Sequence, residues 1–331
     1  MNAKSIIKNF KWSEHSTGLG FILLFLLGVL LSAIGQGFTG VPSFITPGNI
    51  AMVLRQISYT GIIALGMTFI IISGGIDLSV GSMMAFVAGI TVFLLNYLTN
   101  YFHGLYIALF LALVFSVIFG CICGFVNGFM VTKGRIAPFI ATLGTMAIYR
   151  SLILYFSKAS NIVSENSAFG MFGPAEFLGV SLSVWIFALL AVVSHLLLNN
   201  TRFGRYVCAV GANEQVARYS AINVKLIKLI PYVITGFTVA VSSILWASRL
   251  NSVHSFQLGQ GYELDVIASV VIGGTAMSGG KGSIVGTVLG AIMLGMINTM
   301  LVLGGVSSFI QQAARGLVII VAVLLQYNSK D

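Results

Sequence analysis

The chain has 331 residues, 57% hydrophobic and 8% charged, with a formal net charge of +9 and a mean hydropathy of +1.01. A soluble domain carries about 25% charged residues, so composition excludes a soluble globular protein and leaves a polytopic membrane protein. The basic residues sit in short segments between apolar runs, a topology pattern that excludes a nucleic-acid-binding surface.

A spanning helix needs about 20 apolar residues. On that criterion the sequence predicts about ten spans: 18–35, 51–73, 79–97, 105–132, 139–156, 182–199, 231–249, 264–274, 284–303 and 309–326. The expected fold class is an all-α polytopic membrane protein, a single transmembrane domain over 1–331, with some helices broken by Gly-Gly. The first run follows Lys4, Lys8 and Lys11 and reads as a retained helix rather than a cleaved leader. The eighth run is short, and 273–283 is a candidate re-entrant segment.

Lysine and arginine set the orientation. With alternating spans, Lys4, Lys8, Lys11, Lys133, Arg135, Arg202, Arg205, Arg218, Lys225, Lys228, Lys281 and Lys330 all fall on one face. Both termini are therefore predicted cytoplasmic, with 1–17 as the N-terminus and 200–230 as the largest cytoplasmic loop. Arg55, Lys158 and Arg249 lie near helix ends on the other face, while Arg150 and Arg315 fall inside apolar runs. Cys121 and Cys123 read as packing residues of one apolar run, and Cys208 as part of a polar loop.

The segment "TFIIISGGIDLSVGSMMAF", residues 68–86, breaks an apolar run with Gly74-Gly75 and a single acid, Asp77. Two glycines end the second span cheaply. Asp77 or Ser79 then caps the third span, or Asp77, Ser79 and Ser82 line the route as a gate. The two readings are compatible. "IALGMTFIIISGGIDLSVGSMMAFVAGI" also aligns with "IASVVIGGTAMSGGKGSIVGTVLGAI", a candidate internal repeat, and Gly74, Gly75, Gly279, Gly280 and Lys281 join the residues expected at the pathway or gate. Gly-interrupted hydrophobic segments in corresponding positions mark transporter sites.

No catalytic constellation emerges. His15, His103, His195 and His254 are scattered, with no metal-ligand spacing. "GGTAMSGGKGS" fails as a phosphate loop, because Thr275 stands where the first glycine is needed and Gly282 where Ser or Thr is needed. The chain is expected to be neither an enzyme nor a metal protein.

With these residues in view, "GMTFIIISGGIDLSVGSMMAF" resembles the signature of the permease subunits of bacterial ABC importers for monosaccharides, the ribose, xylose, arabinose and galactoside type. "KGRIAPFIATLGTMAIYRSL", "TRFGRYVCAVGANEQVARYSAINVKLIK" and "GYELDVIASVVIGGTAMSGGKGSIVGTVLGA" are similar to further segments of that family. The likeness is colinear from about 49 to 325. It implies a bacterial inner-membrane permease that passes a ribose-like pentose or hexose. It also implies three partners: an ABC ATPase with two nucleotide-binding halves, an extracytoplasmic sugar-binding protein, and a second permease chain, identical or paralogous. ATP and magnesium would belong to the ATPase, and this subunit would hold no cofactor.

Within that resemblance, "GANEQVARYSAIN" is expected to form the helix that couples to the ATPase, with Asn213 as N-cap and Glu214 in the first turn. Val216, Ala217 and Ala221 would face a groove on the ATPase, and Arg205, Gly211 and Ser220 complete the expected coupling set. An alternative of another class is a proton-coupled secondary transporter of a small polar solute, with Asp77 or Arg315 as the coupling group.

Overall fold

The computed structural model describes residues 12–35, 43–102, 104–307, 310–314, 316–317 and 320. The chain runs through α1 (Trp12–Gly35), α2 (Pro47–Ile72), α3 (Val80–Phe102), α4 (Leu105–Thr132) and α5 (Pro138–Ser157). Then come β1 (Asn161–Val163), α6 (Ser167–Phe172), β2 (Glu176–Phe177), β3 (Val180–Ser181), α7 (Leu182–Asn200), α8 (Arg202–Ala212) and α9 (Glu214–Tyr219). α10 (Val224–Leu250), β4 (Ser252–His254), α11 (Tyr262–Ile272) and α12 (Ile284–Leu303) follow.

Seven of these helices, α2, α3, α4, α5, α7, α10 and α12, are long and apolar enough to cross a membrane. The all-α class therefore holds for the spans, while the loops add two short antiparallel strand pairs, β1 with β4 and β2 with β3. In α1 the strongly apolar stretch is only Gly20–Ile34. Helix α11 has 11 residues and is about 17 Å long, roughly half of a hydrocarbon core of about 30 Å. Most of the tenth predicted span lies outside the described residues, as do Lys4, Lys8, Lys11, Arg315 and Lys330.

Several boundaries differ from expectation: α1 begins at Trp12 rather than Gly18, α2 at Pro47 rather than Ala51, and α3 runs to Phe102 rather than Tyr97. The seventh span was predicted to start at Pro231, yet α10 begins at Val224 with Pro231 inside it. The Asn223 side chain accepts from Leu226 N and starts the helix upstream. Pro231 is the eighth residue of α10 and lacks the N–H that would bond Ile227 O, yet the helix continues through it, so Lys225 and Lys228 are helical rather than loop residues. Cys208, expected in a polar loop, lies on α8.

The spans form an inner and an outer set. Helices α2, α3, α10 and α12 are more than half buried, whereas α4, α5 and α7 are under a third buried and turn apolar side chains outward. Close approach fastens the two sets. An added Cβ at Gly120 on α4 would meet Gly236 O at 2.5 Å, and one at Gly236 on α10 would meet Gly120 O at 2.1 Å. Small residues let helix backbones meet in this way in lipid.

The two glycine breaks share one backbone geometry. At the end of α2, Ser73 N, Gly74 N and Gly75 N donate to Phe69 O, Ile71 O and Ile70 O. At the end of α11, Gly273 N, Gly274 N and Thr275 N donate to Ser269 O, Val271 O and Val270 O, the same three offsets. Gly74 (φ 81°) and Gly274 (φ 87°) both take the left-handed conformation that closes such a helix end. The same three offsets also close α12, at Gly304, Gly305 (φ 69°) and Val306, so the shared geometry reflects glycine at a helix end rather than the candidate repeat.

Candidate translocation site

Asp77 sits between α2 and α3 and is fully buried. Its Oδ1 accepts from Ser79 N at 2.8 Å and Ser79 Oγ at 2.7 Å. Its Oδ2 accepts from Asn127 Nδ2 on α4 at 3.0 Å, and the same amide donates to Ser79 Oγ at 2.8 Å. Tyr232 OH donates to the neighbouring Ile76 O at 3.3 Å. Ser79 O accepts from Met83 N, so Ser79 occupies the N-cap position of α3. Of the two residues expected to cap α3, Ser79 holds the position and Asp77 does not. Asp77 binds the cap residue rather than the free amides of the first turn, and so fixes how the chain enters α3. Ser82, one turn further on, is also buried.

The second break comes back to the first. Gly280 N donates to Ile72 O at 2.8 Å. Gly279 (φ 84°) lies against Gly211 O and Gly74, and Gly280 (φ 82°) lies against Ala212. An added Cβ at Gly211 would sit 1.7 Å from Ile72 O and 2.6 Å from Gly280 N. Gly75 packs on Tyr232 OH, while Lys281 is exposed. Residues assigned to a gate (Gly74, Gly279, Gly280) and one assigned to coupling (Gly211) therefore form one junction.

Helix α9 forms as the sequence predicts. Asn213 Oδ1 accepts from Gln215 N at 3.0 Å and Val216 N at 3.1 Å. Glu214 bonds Lys228 at 2.5 Å and Arg218 at 3.0 Å. The Lys228 bond holds the Glu214 carboxyl below its ordinary range; partial burial opposes the shift and Arg218 adds to it. The outward face differs from expectation. Ala217 is 2% exposed and packs on its own chain, and Ala221 lies beyond the helix with φ 57°. At six residues, α9 turns its smallest side chain inward. Val216, Arg218, Tyr219 and Ser220 face outward, alongside Arg205 and Tyr206 of α8.

A cavity of about 320 Å³ lies between α2, α10, α11 and α12. Gln56 and Thr60 reach it from α2, Trp246 from α10, Tyr262, Asp265 and Ser269 from α11, and Asn298 from α12. The segment after β4 closes the wall with His254, Gln257, Leu258 and Gly259. The Trp246 and Tyr262 rings meet edge to face, 6.1 Å between centroids. None of the residues read from sequence as pathway residues lines this cavity. One signal pointed to it: Gln56 with Thr60, and Asp265 with Ser269, are polar pairs four apart on otherwise apolar helices, hence on one face.

The chain matches the family described as "Branched-chain amino acid transport system / permease component" over residues 49–324. It is similar to "Ribose import permease protein RbsC" of Bacillus subtilis (strain 168), 41% identical over 92% of this chain and 91% of that one. The protein of that name from Escherichia coli (strain K12) is 39% identical over 88% of each chain. "L-arabinose transport system permease protein AraH" of Escherichia coli (strain K12) is 33% identical over 96% of this chain and 92% of that one. With colinear coverage on this scale and broken, glycine-packed spans, the chain belongs to this family of multi-pass membrane permease components.

Proposed function

We propose that this chain is the permease subunit of an ATP-driven importer in a bacterial inner membrane, and that it passes a monosaccharide, a ribose-like pentose or a hexose. The observation that carries the reading is the cavity. Gln56, Thr60, Gln257 and Asn298 offer neutral donors and acceptors suited to hydroxyl groups, and Trp246 and Tyr262 offer ring surface to the apolar C–H face of a sugar. A volume of about 320 Å³ is at the small end of ligand pockets, which span about 300–1,000 Å³.

The end that carries Lys133, Arg135, Arg202, Arg205 and Arg218 is the cytoplasmic one by the positive-inside rule, and ten crossings keep both termini there. An ATPase with two nucleotide-binding halves docks on the outward face of α8 and α9 and supplies ATP and magnesium chemistry. This subunit needs no cofactor of its own. An extracytoplasmic binding protein delivers the sugar at the opposite end, and a second permease chain completes the pathway.

Proteoliposomes holding the full importer test the reading. Gln56→Ala and Asn298→Ala are expected to cut ATP-dependent uptake of labelled ribose about tenfold each, the worth of a hydrogen bond or two to the bound sugar, while the complex still assembles. Uptake at the unaltered rate in both variants would refute the cavity as the sugar's route.

A further inference from the structure

We propose that Arg150 is a positioning residue for transport, holding in place the turn that carries His254, Gln257 and Leu258 into the cavity. The inference rests on reading that cavity as the sugar's route.

Arg150 lies on α5, outside the cavity lining. It is about 18 Å along the helix from Pro138, a depth at which a cation is costly unless fully held. Its Nη1 donates to Ser255 O at 2.9 Å and to Leu258 O at 2.9 Å. The turn's own backbone bonds end elsewhere: Gln257 N and Leu258 N both donate to His254 O. Ser255 and Leu258 are buried, so without the guanidinium two buried carbonyls would lose a charged donor. Glu263, at the start of α11, acts electrostatically on the same guanidinium.

The turn is gripped from its other sides as well. Ser255 Oγ donates to Ser160 O at 3.0 Å. Gly259 (φ 71°) lies backbone to backbone on the first turn of α3, where an added Cβ would be 2.0 Å from Gly81 O. Cavity-lining residues thus inherit their placement from α5 and α3, which do not line the cavity. Arg150 is the charged donor of that support, with the Glu263 carboxylate packed against Gly81 on its α3 side, and its role follows from donor geometry rather than from bulk.

Arg150→Met keeps the apolar stem and removes the donors. Arg150→Lys keeps a charge with three donors on a stem of similar length. In the full importer, Arg150→Met is expected to lower ribose uptake about tenfold and to speed amide exchange at 255–261 while α12 exchanges as before. Arg150→Lys is expected to recover at least half of the uptake and protection. Unchanged exchange at 255–261 in Arg150→Met overturns the proposal, as does a lysine variant no better than the methionine one, including in yield of assembled complex. Gln257→Ala separates the two readings. If Gln257→Ala and Gln56→Ala both transport normally, the cavity reading falls and this role falls with it. If Gln257→Ala is impaired while Arg150→Met transports normally, only the role of Arg150 falls.

Discussion

At the scale of single residues, Asp77 shows how a buried carboxylate is kept. Three donors converge on it, from Ser79 N, Ser79 Oγ and Asn127 Nδ2, and none of the ion pairs among the described residues involves it. In Asp77→Asn the new NH2 meets a donor whichever way it turns, the Asn127 amide on one side or Ser79 N on the other. The expected outcome is a loss of about 1–3 kcal/mol in stability, read by thermal unfolding of the purified permease, with transport lowered and the complex still formed. Asn127→Asp alone sets two carboxylates face to face and is expected to cost more. Combining the two restores a carboxylate opposite an amide, so the double variant should be more stable than Asn127→Asp, a non-additivity expected of direct contacts. Simple additivity would refute the pairing.

At the scale of elements, the glycine junction ties α2, α8 and the 273–283 turn together. Gly211→Ala places a methyl group on the Ile72 carbonyl, backbone that no rotamer change relieves, so it is expected to abolish transport and to lower the yield of folded permease. Gly144→Ala, on α5 with nothing within 4 Å of an added Cβ, is expected to stabilise the protein by about 0.5–1 kcal/mol instead. Equal behaviour of the two alanine variants would rule out the packing account. Helix α9 carries a pH dependence of known sign. The folded-state pKa of Glu214 lies below the ordinary value of 4.5, so its ion pairs contribute fully above that value and are lost as pH falls through the lower, folded-state value. Because the pair is partly exposed, the contribution is under about 1 kcal/mol. Protection factors of the α9 amides, corrected for the pH dependence of intrinsic exchange, should fall on acidification below 4.5, and Glu214→Gln should remove the step.

At the scale of the molecule, the described residues fall at two ends. Ile72, the α8–α9 segment and the second glycine break lie at one. The Arg55–Glu176 ion pair and the β1–β4 pair lie towards the other. Single cysteines at Val216 and at Leu178, both exposed, in a chain with Cys121, Cys123 and Cys208 replaced, are expected to label from the cytoplasmic and the extracytoplasmic side respectively. Labelling of both from one side would overturn the orientation. Uptake should follow ATP supplied to the ATPase and persist when the proton gradient is collapsed. The opposite dependence would point to proton-coupled secondary transport.

Much of this architecture could be read from the chain, and the reasons are local. The bounds of α4 and α12 were predicted to the residue, since apolar length and a following Gly or Lys segment define them without reference to neighbours. The Asn213 cap was readable because a cap bonds within three residues of itself. The bend into α3 was visible from Gly74-Gly75 alone. The inward turn of Ala217 was not, because amphipathicity on a six-residue helix does not say which surface covers it.

What the sequence by itself determined is the membrane class, the course of most spans, the two breaks and the side that bears the cations. These follow from hydropathy, backbone preference and charge, each a property of a short stretch. Only the tertiary structure decided that Gly211 meets both breaks, that Arg150 is held by carbonyls more than a hundred residues away, and that polar residues of four helices share one cavity. Those outcomes depend on how closely distant backbones approach, and that distance is set by packing among all the spans at once.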